Sequence, residues 1–435
     1  MPNRDTPRTF LLYALLAISA AYYVQRNVFI APQMHRNDFQ HLYIGAFLVG
    51  QGIDLYDFKA AMWTKSQLGI SQGLNPFVYP PFMAVLCRPL AWVDYETAWI
   101  AWCIFNHLLL VGTLALFCLL WSKESLLLKW TAGITLFAFF DPIFRTLSAG
   151  QFNIVLLFSF TLALLLMKRN YSVAAGIVIG IMASAKVAPA LLLVLFLFID
   201  RPAFFAGLAT VCACTGWAVA VAGWDQHRAF FDLLPQMSYG RSTWTEYGQV
   251  FHVEAHNQAP SALFYRLFSR NPRTAALADL PTLAYALSVL TALLLLGIAA
   301  YAAIRRRCDR DTLFILWVYP MLLIPSLCWD HYFTQLLLPI WVLAARWKDD
   351  SMKNNVLFAI AVGTLAVPYA FESGWWKAGI GIFGASLKCY AAIALYLLTF
   401  SHCGKGDEMN GLCESAIRNP QSAIEEGGTD FRPVA

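Results

Sequence analysis

The sequence predicts an all-α polytopic membrane protein of about twelve transmembrane helices, with an interfacial helix in its first outer loop. Three observations predict it. Of 435 residues only 13% are charged and 59% are hydrophobic, whereas soluble domains carry about a quarter charged residues. Apolar runs near the ~20 residues needed to cross a bilayer recur along the whole chain. The basic residues of the short loops fall on one side of those runs.

In order, the apolar runs predict spans at 9–29, 94–121, 126–144, 151–167, 171–186, 187–200, 203–223, 282–304, 311–327, 332–346, 354–370 and 378–400. The first follows Arg4 and Arg8 and resembles a signal peptide, with Ala17-Ile18-Ser19 as a weak cleavage site. Its apolar character continues past Tyr23 to Ile30, so it is read as an uncleaved first helix. The runs 171–186 and 187–200 are short and fit re-entrant or broken segments. With a cytoplasmic N-terminus, Lys123, Lys129, Lys168, Arg169, Arg201, Arg305 to Arg307, Arg310, Arg346, Lys348 and Lys353 all face inward, and the opposite turns hold only Arg145 and Lys377. Both termini are then cytoplasmic. Residues 1–400 read as a single membrane domain, and the polar segment 401–435 as a disordered cytoplasmic tail.

The net charge of +5 is scattered between apolar segments, which excludes the basic face of a nucleic-acid binder. The cysteines form no CxxC pair and read as small core hydrophobes. A disulfide between Cys87 and Cys328, both placed outward, is left open.

Two long segments remain outside, about 30–93 and 224–281, and long loops between spans are usually functional. The first opens with Asp38 to Asp57. Phe39, Leu42, Tyr43, Ala46 and Phe47 repeat at the spacing of one helical face. Asp38 stands at the N-cap position, and Gly50 and Gly52 stand where the helix should stop. The pattern predicts a short amphipathic helix in the interface plane with a carboxylate at its mouth. A lone Asp before a helix is more often only a cap.

What favours chemistry at Asp38 is the company it keeps. Arg145 precedes Gly150-Gln151-Phe152-Asn153, Lys186 lies between two short apolar segments ahead of Pro189, Trp329-Asp330-His331-Tyr332 interrupts an apolar run, and Glu372, Trp375, Trp376 and Lys377 occupy the last outward turn. The predicted topology brings all of these to Asp38's side. For Arg145 and Lys377 snorkelling to the interface is an equal reading, and the aromatics fit an interface belt. An unpaired Lys186 costs about 2.5–3.5 kcal/mol at mid-membrane, which favours an anion as its partner. Asp330 fits an N-cap and is a second candidate carboxylate. No metal-ligand spacing, phosphate loop, nucleophile elbow or nucleotide fingerprint occurs, although Asp54 and Asp57 keep a metal-assisted phosphate open.

One outward carboxylate, scattered cations and a large apolar body suit sugar transfer from a lipid carrier. A polyprenyl phosphate leaves without a general acid but needs cations for its developing charge. The attacking hydroxyl needs one base, and attack opposite the leaving group inverts the anomeric centre.

The same residues resemble a known family. Asp38 with a helix ending Gly50-Gln51-Gly52-Ile53-Asp54-Leu55-Tyr56, then Phe77-Val78-Tyr79-Pro80-Pro81-Phe82 with Pro89, are similar to glycosyltransferase family 87. Gly150 to Asn153, Lys186 with Pro189, and Ser326 to His331 with Pro339 look like its later landmarks, so that the resemblance spans about 35–345. It implies a GT-C-type membrane fold, a polyprenyl-phosphate-hexose donor with mannose the best-known sugar, and an extracytoplasmic site with Asp38 as base. It also implies a histidine near the donor phosphate, which His331 matches. Leu327 and Asp330 depart from the pattern, which has a proline near the first and no fixed acid at the second.

The sequence therefore points to an inverting hexosyltransferase that moves a hexose, with mannose expected, onto a glycan or glycolipid acceptor. Asp38 would be the base, Lys186, His331 and Arg145 would hold the donor phosphate, and His41, Gln151 and Asn153 would contact sugar or acceptor. Its partners would be the lipid-linked donor, the acceptor and membrane lipids; no cofactor or nucleic acid is implied. Rival readings are a flippase for lipid-linked sugars, which would need essential residues on both faces, and a polymerase or ligase using a lipid diphosphate, which would need clustered arginines.

Overall fold

The computed structural model describes residues 5–71, 73–121, 124–305, 308–346, 350–369, 371 and 373–403, and among them every regular element is helical. Glu372 and the predicted tail beyond Cys403 lie outside the described residues. In chain order the helices are α1 (Asp5–Tyr23), α2 (Asn37–Gln51), α3 (Phe58–Gln67), α4 (Pro81–Cys87), α5 (Tyr95–Leu120), α6 (Leu126–Phe139), α7 (Asp141–Ala149), α8 (Asn153–Lys168), α9 (Ser172–Ala185) and α10 (Ala190–Ile199). There follow α11 (Arg201–Ala222), α12 (Trp224–Leu233), α13 (Pro260–Phe268), α14 (Pro281–Ile304), α15 (Arg310–Leu323), α16 (Leu337–Ala344), α17 (Met352–Ala366), α18 (Gly381–Gly384) and α19 (Leu387–Ser401).

Among the described residues, four helical segments suffice by length and composition to cross a membrane: Pro7–Gln33, Tyr95–Leu120, Arg201–Ala222 and Pro281–Ile304. The pair α6 and α7 makes a fifth if it is one span, although the two are bent by 60°. The predicted run 126–144 is thus not one straight helix. Pro142 sits in the first turn of α7, where its missing N–H is tolerated and its ring closes off continuation of the preceding helix. Other predicted spans are broken too. Run 332–346 begins as a 3₁₀ stretch, Asp330–Leu336, before α16, and 378–400 divides into α18 and α19. Run 9–29 continues as a π-helical stretch, Val24–Ile30, and a 3₁₀ turn, Ala31–Gln33.

α15 is buried along its length from Thr312 to Leu323, and α8 is buried on most of its surface. Around them α1, α5, α11, α14 and α17 turn large apolar side chains outward, Phe10, Ile100, Phe205, Leu293 and Ile360 among them. A belt this wide is a lipid-facing surface rather than a soluble one. α9 and α11 touch through glycines: a Cβ at Gly176 would stand 2.1 Å from the Ala203 carbonyl oxygen, and one at Gly180 2.6 Å from that of Gly207. Small residues spaced four apart are the usual means by which membrane helices approach this closely.

Cysteine pairing departs from the expectation. Cys308 and Cys403 form a disulfide, whereas Cys87 and Cys328 are free and buried. The bond joins the start of α15 to the end of α19, two ends that no local spacing relates.

Candidate functional site

The segment about 30–93, predicted as an outer loop, is no open loop. It folds as α2, α3 and α4, and α2 is buried over most of its length, polar Gln40 and His41 included. The amphipathic pattern predicted a half-exposed helix. The segment Asn75–Tyr79, α4 and the 3₁₀ turn Arg88–Trp92 cover the face expected to be wet. Gly52, in the left-handed region, stops α2. Asp38 is not its cap: Arg36 holds that position with φ 48° and no side-chain cap bond, while Asp38 lies in the first turn. Arg36 is fixed there by its N–H on the Ser148 carbonyl at 2.8 Å and by its guanidinium on Glu96 and the Pro32 carbonyl. Asp38 is thereby free for other work.

The mouth of α2 opens on a polar chamber of about 480 Å³, lined by Asp38, His41, Asn75, Tyr79, Arg145, Gln151, His256 and His331, among others. Asn75 donates to Asp38 Oδ1 at 2.8 Å. His41 Nδ1 lies 3.7 Å from that oxygen, and His331 Nε2 lies 3.9 Å from Asp38 Oδ2. Burial pushes both imidazoles down to about 4, against the pull of Asp38; both are neutral near pH 7. Neither His41 nitrogen has a partner, nor has His331 Nε2. Unpaired buried polar atoms facing a cavity are what a ligand would satisfy.

A second cavity of about 500 Å³ adjoins the chamber and is almost wholly apolar, with Pro189, Leu191, Phe230, Met237 and Met321 in its walls. Val78, Tyr79, Leu327 and Tyr332 line both, so they form a common lip. Lys186, which ends α9, lines only the apolar groove. Its ammonium lies 3.6 Å from the Tyr332 ring centroid and has no hydrogen-bond partner. A buried ammonium held by a ring face alone is poised for an anion.

Arg145 and Asp330 form an ion pair, Nε to Oδ1 at 3.0 Å, with His256 Nδ1 3.1 Å from Arg145 Nη2 and 3.3 Å from Asp330 Oδ2. Burial works against the Asp330 carboxylate, yet Arg145 and His256 hold it well below the usual carboxylate range. Asp330 caps no helix. His256 comes from the segment about 224–281, which is stitched to the chain before His331. Asn257 pairs with Trp329, Asp330 N–H donates to the His256 carbonyl at 3.0 Å, and Asn257 Nδ2 donates to the Ser326 carbonyl at 2.9 Å.

Of the residues named from sequence, Asp38, His41, Arg145, Gln151 and His331 line the chamber, and Lys186 lines the adjoining groove. Gln151 accepts from the Tyr79 hydroxyl at 3.2 Å. Asn153 lines neither cavity; fully buried, it donates to the His331 carbonyl and accepts from Gln335, which sets the backbone that carries His331. Lys377 is exposed and lines neither cavity. Asp54 and Asp57 are spent on local backbone N–H groups, Asp57 as the cap of α3. Sequence reasoning missed Asn75, Thr243, His256 and Tyr332 as site residues. Only Tyr332 carried a local signal, as a neighbour of His331.

The chain matches the profile of glycosyltransferase family 87 over residues 77–326. It is 30% identical over 201 residues, 45% of this chain and 46% of the relative, to the polyprenol-phosphate-mannose-dependent alpha-(1-2)-phosphatidylinositol pentamannoside mannosyltransferase of Mycolicibacterium smegmatis. It is 28% identical over 191 residues, 39% of this chain and 43% of the relative, to the polyprenol-phosphate-mannose-dependent alpha-(1-2)-phosphatidylinositol mannoside mannosyltransferase of Mycobacterium tuberculosis. The matched region thus spans under half the length of either relative. No solved structure matches the chain.

Proposed function

The chain belongs to glycosyltransferase family 87, and from that premise we propose that it is an inverting mannosyltransferase. It takes mannose from a polyprenyl phosphate and places it on a glycan or glycolipid at the extracytoplasmic face. The relatives' use of polyprenol-phosphate-mannose supports the donor. The observation that carries the reading is the junction of the two cavities. An apolar groove fit for a prenyl tail meets a polar chamber fit for a sugar, with the unpaired ammonium of Lys186 in the groove wall and Asp38 in the chamber.

In this reading the acceptor hydroxyl oxygen attacks the anomeric carbon, and the carbon–oxygen bond to phosphate breaks with its electron pair going to the phosphate. Asp38 takes the hydroxyl proton. The Asn75 bond fixes one Asp38 oxygen and leaves Oδ2 on the His331 side for the proton. Lys186 offsets the charge that develops on the leaving phosphate, a term worth most in a water-poor site. His331, neutral near pH 7, contributes a hydrogen bond rather than charge. His41 and Gln151, both in the chamber wall, would meet hydroxyls of the transferred sugar.

The proposal includes a GT-C-type fold in one domain over 1–400, with about twelve spans, α2 at the outer membrane surface and both termini cytoplasmic. Asp38→Asn tests the chemistry. The variant keeps an oxygen for Asn75 and nearly the same volume, so its unfolding temperature should match wild type. Transfer of labelled mannose from synthetic polyprenyl-phosphate-mannose should fall about 10³-fold or more. Undiminished transfer by a folded variant would remove Asp38 as the base; absence of transfer from this donor by wild type would favour the flippase reading.

A further inference from the structure

We infer that the chamber wall formed by Arg145, Thr243, Phe251, His256 and Trp329 is the acceptor subsite, and that it takes a neutral hexopyranose. The inference rests on the proposed direction of donor entry. All five residues line the chamber, and none lines the groove that holds Lys186. Inversion requires the nucleophile to arrive on the face opposite the leaving phosphate. A carrier phosphate at Lys186 therefore puts the acceptor among the chamber residues that do not line the groove, and this wall is one group of them.

The chemistry of the wall names the class. A pyranose offers an apolar C–H face and a rim of hydroxyls. Phe251 and Trp329 meet edge to face with centroids 5.8 Å apart and supply ring surface for the C–H face. Arg145 Nε is paired by charge with Asp330 Oδ1 at 3.0 Å without hydrogen-bond geometry, Nη2 touches His256, and the side chain remains 30% exposed, which leaves Nη1 for vicinal hydroxyls. Thr243 supplies an independent observation. It is 1% exposed, it lines the chamber, and its hydroxyl has no partner. A buried hydroxyl without a partner costs free energy that a ligand hydroxyl would recover. The Arg145–Asp330 pair is neutral as a unit, so the wall suits an uncharged sugar better than a second phosphate. Asp330 is the positioning residue of this subsite: it touches no substrate and fixes the guanidinium that does.

The test uses the full chain in lipid nanodiscs with two probes, octyl α-mannopyranoside below its micellar concentration and polyprenyl-phosphate-mannose, each titrated by calorimetry. Trp329→Ala and Thr243→Val should weaken the mannoside about tenfold and leave carrier affinity within about twofold. Trp329→Phe, which keeps a ring, should recover most of the loss and so separates stacking from misfolding. Unchanged mannoside affinity in both variants, equal loss of both ligands, or no mannoside binding to folded wild type would overturn the subsite. A wild type that binds the mannoside but not the carrier would instead remove the proposed donor, with the mannoside result standing by itself.

Discussion

Two carboxylates in this chain were candidates in sequence, Asp38 first and Asp330 well behind it, and they are opposite in structure. Asp330 is buried in an ion pair with Arg145 and a contact with His256, held ionised and too acidic to accept a proton. Asp38 is held through one oxygen by Asn75 and faces the chamber with the other. Nothing local separates them, because what separates them is brought by residues 37 to 185 positions away. The site histidines differ from free imidazole for the same reason. His41 and His331 are pushed down to about 4 by burial, against an ordinary value near 6.5. An unfolded chain then binds more protons than the folded one between those values, so stability falls as pH drops from about 6.5 toward 4. Thermal unfolding followed across that window should show the fall, and His41→Gln should make it shallower, with the buried His331 and His252 still contributing. A slope unaltered by that substitution would mean that His41 is not buried neutral. His331 could be named from sequence because it stands in a polar interruption of an apolar run. His256 could not, being one polar residue among many in a long segment.

At the scale of elements, the apolar runs were legible because a bilayer demands them, and their breaks were legible only in part: the short runs 171–186 and 187–200 and the interruption at Trp329 showed in the sequence, whereas the bend inside 126–144 did not. Each predicted run contains helix, yet the bends at Phe140 and at the 3₁₀ stretch before α16 arise where chain must turn to bring α7 and His331 to the chamber. Gly150 shows how closely those pieces fit. It ends α7 with φ 73°, and a Cβ there would stand 2.5 Å from Phe39 Cβ and 3.3 Å from its Cα. Phe39 follows Asp38 directly, and the backbone cannot yield without moving the base. Gly150→Ala should therefore cost about 1–3 kcal/mol of stability, read as a lower unfolding temperature. It should also depress kcat for transfer more than it raises the donor KM, since Lys186 and the groove lie elsewhere. Equal kcat in the variant would show that α2 has room to shift.

The whole molecule joins two solvents. The exposed apolar belt of α1, α5, α11, α14 and α17 faces lipid, while the chamber gathers polar groups from α2, α7, the segment about 224–281 and the stretch before α16. A reaction between a lipid-borne donor and a hydroxylic acceptor needs that junction, and the groove and chamber meet at four shared residues. The side of the membrane that the chamber faces is part of the proposal, and it rests on the predicted inward placement of the basic short loops. The orientation makes a direct prediction. In a cysteine-free background, Arg270→Cys in the segment about 224–281 should react with a membrane-impermeant maleimide in intact cells. Lys353→Cys, at the start of α17, should react only after permeabilisation. Both side chains are exposed in the folded protein, so the difference reads sidedness. The reverse labelling would turn the chamber toward the cytoplasm, where soluble nucleotide sugars are at hand, and the need for a lipid-borne donor would lose its physical basis.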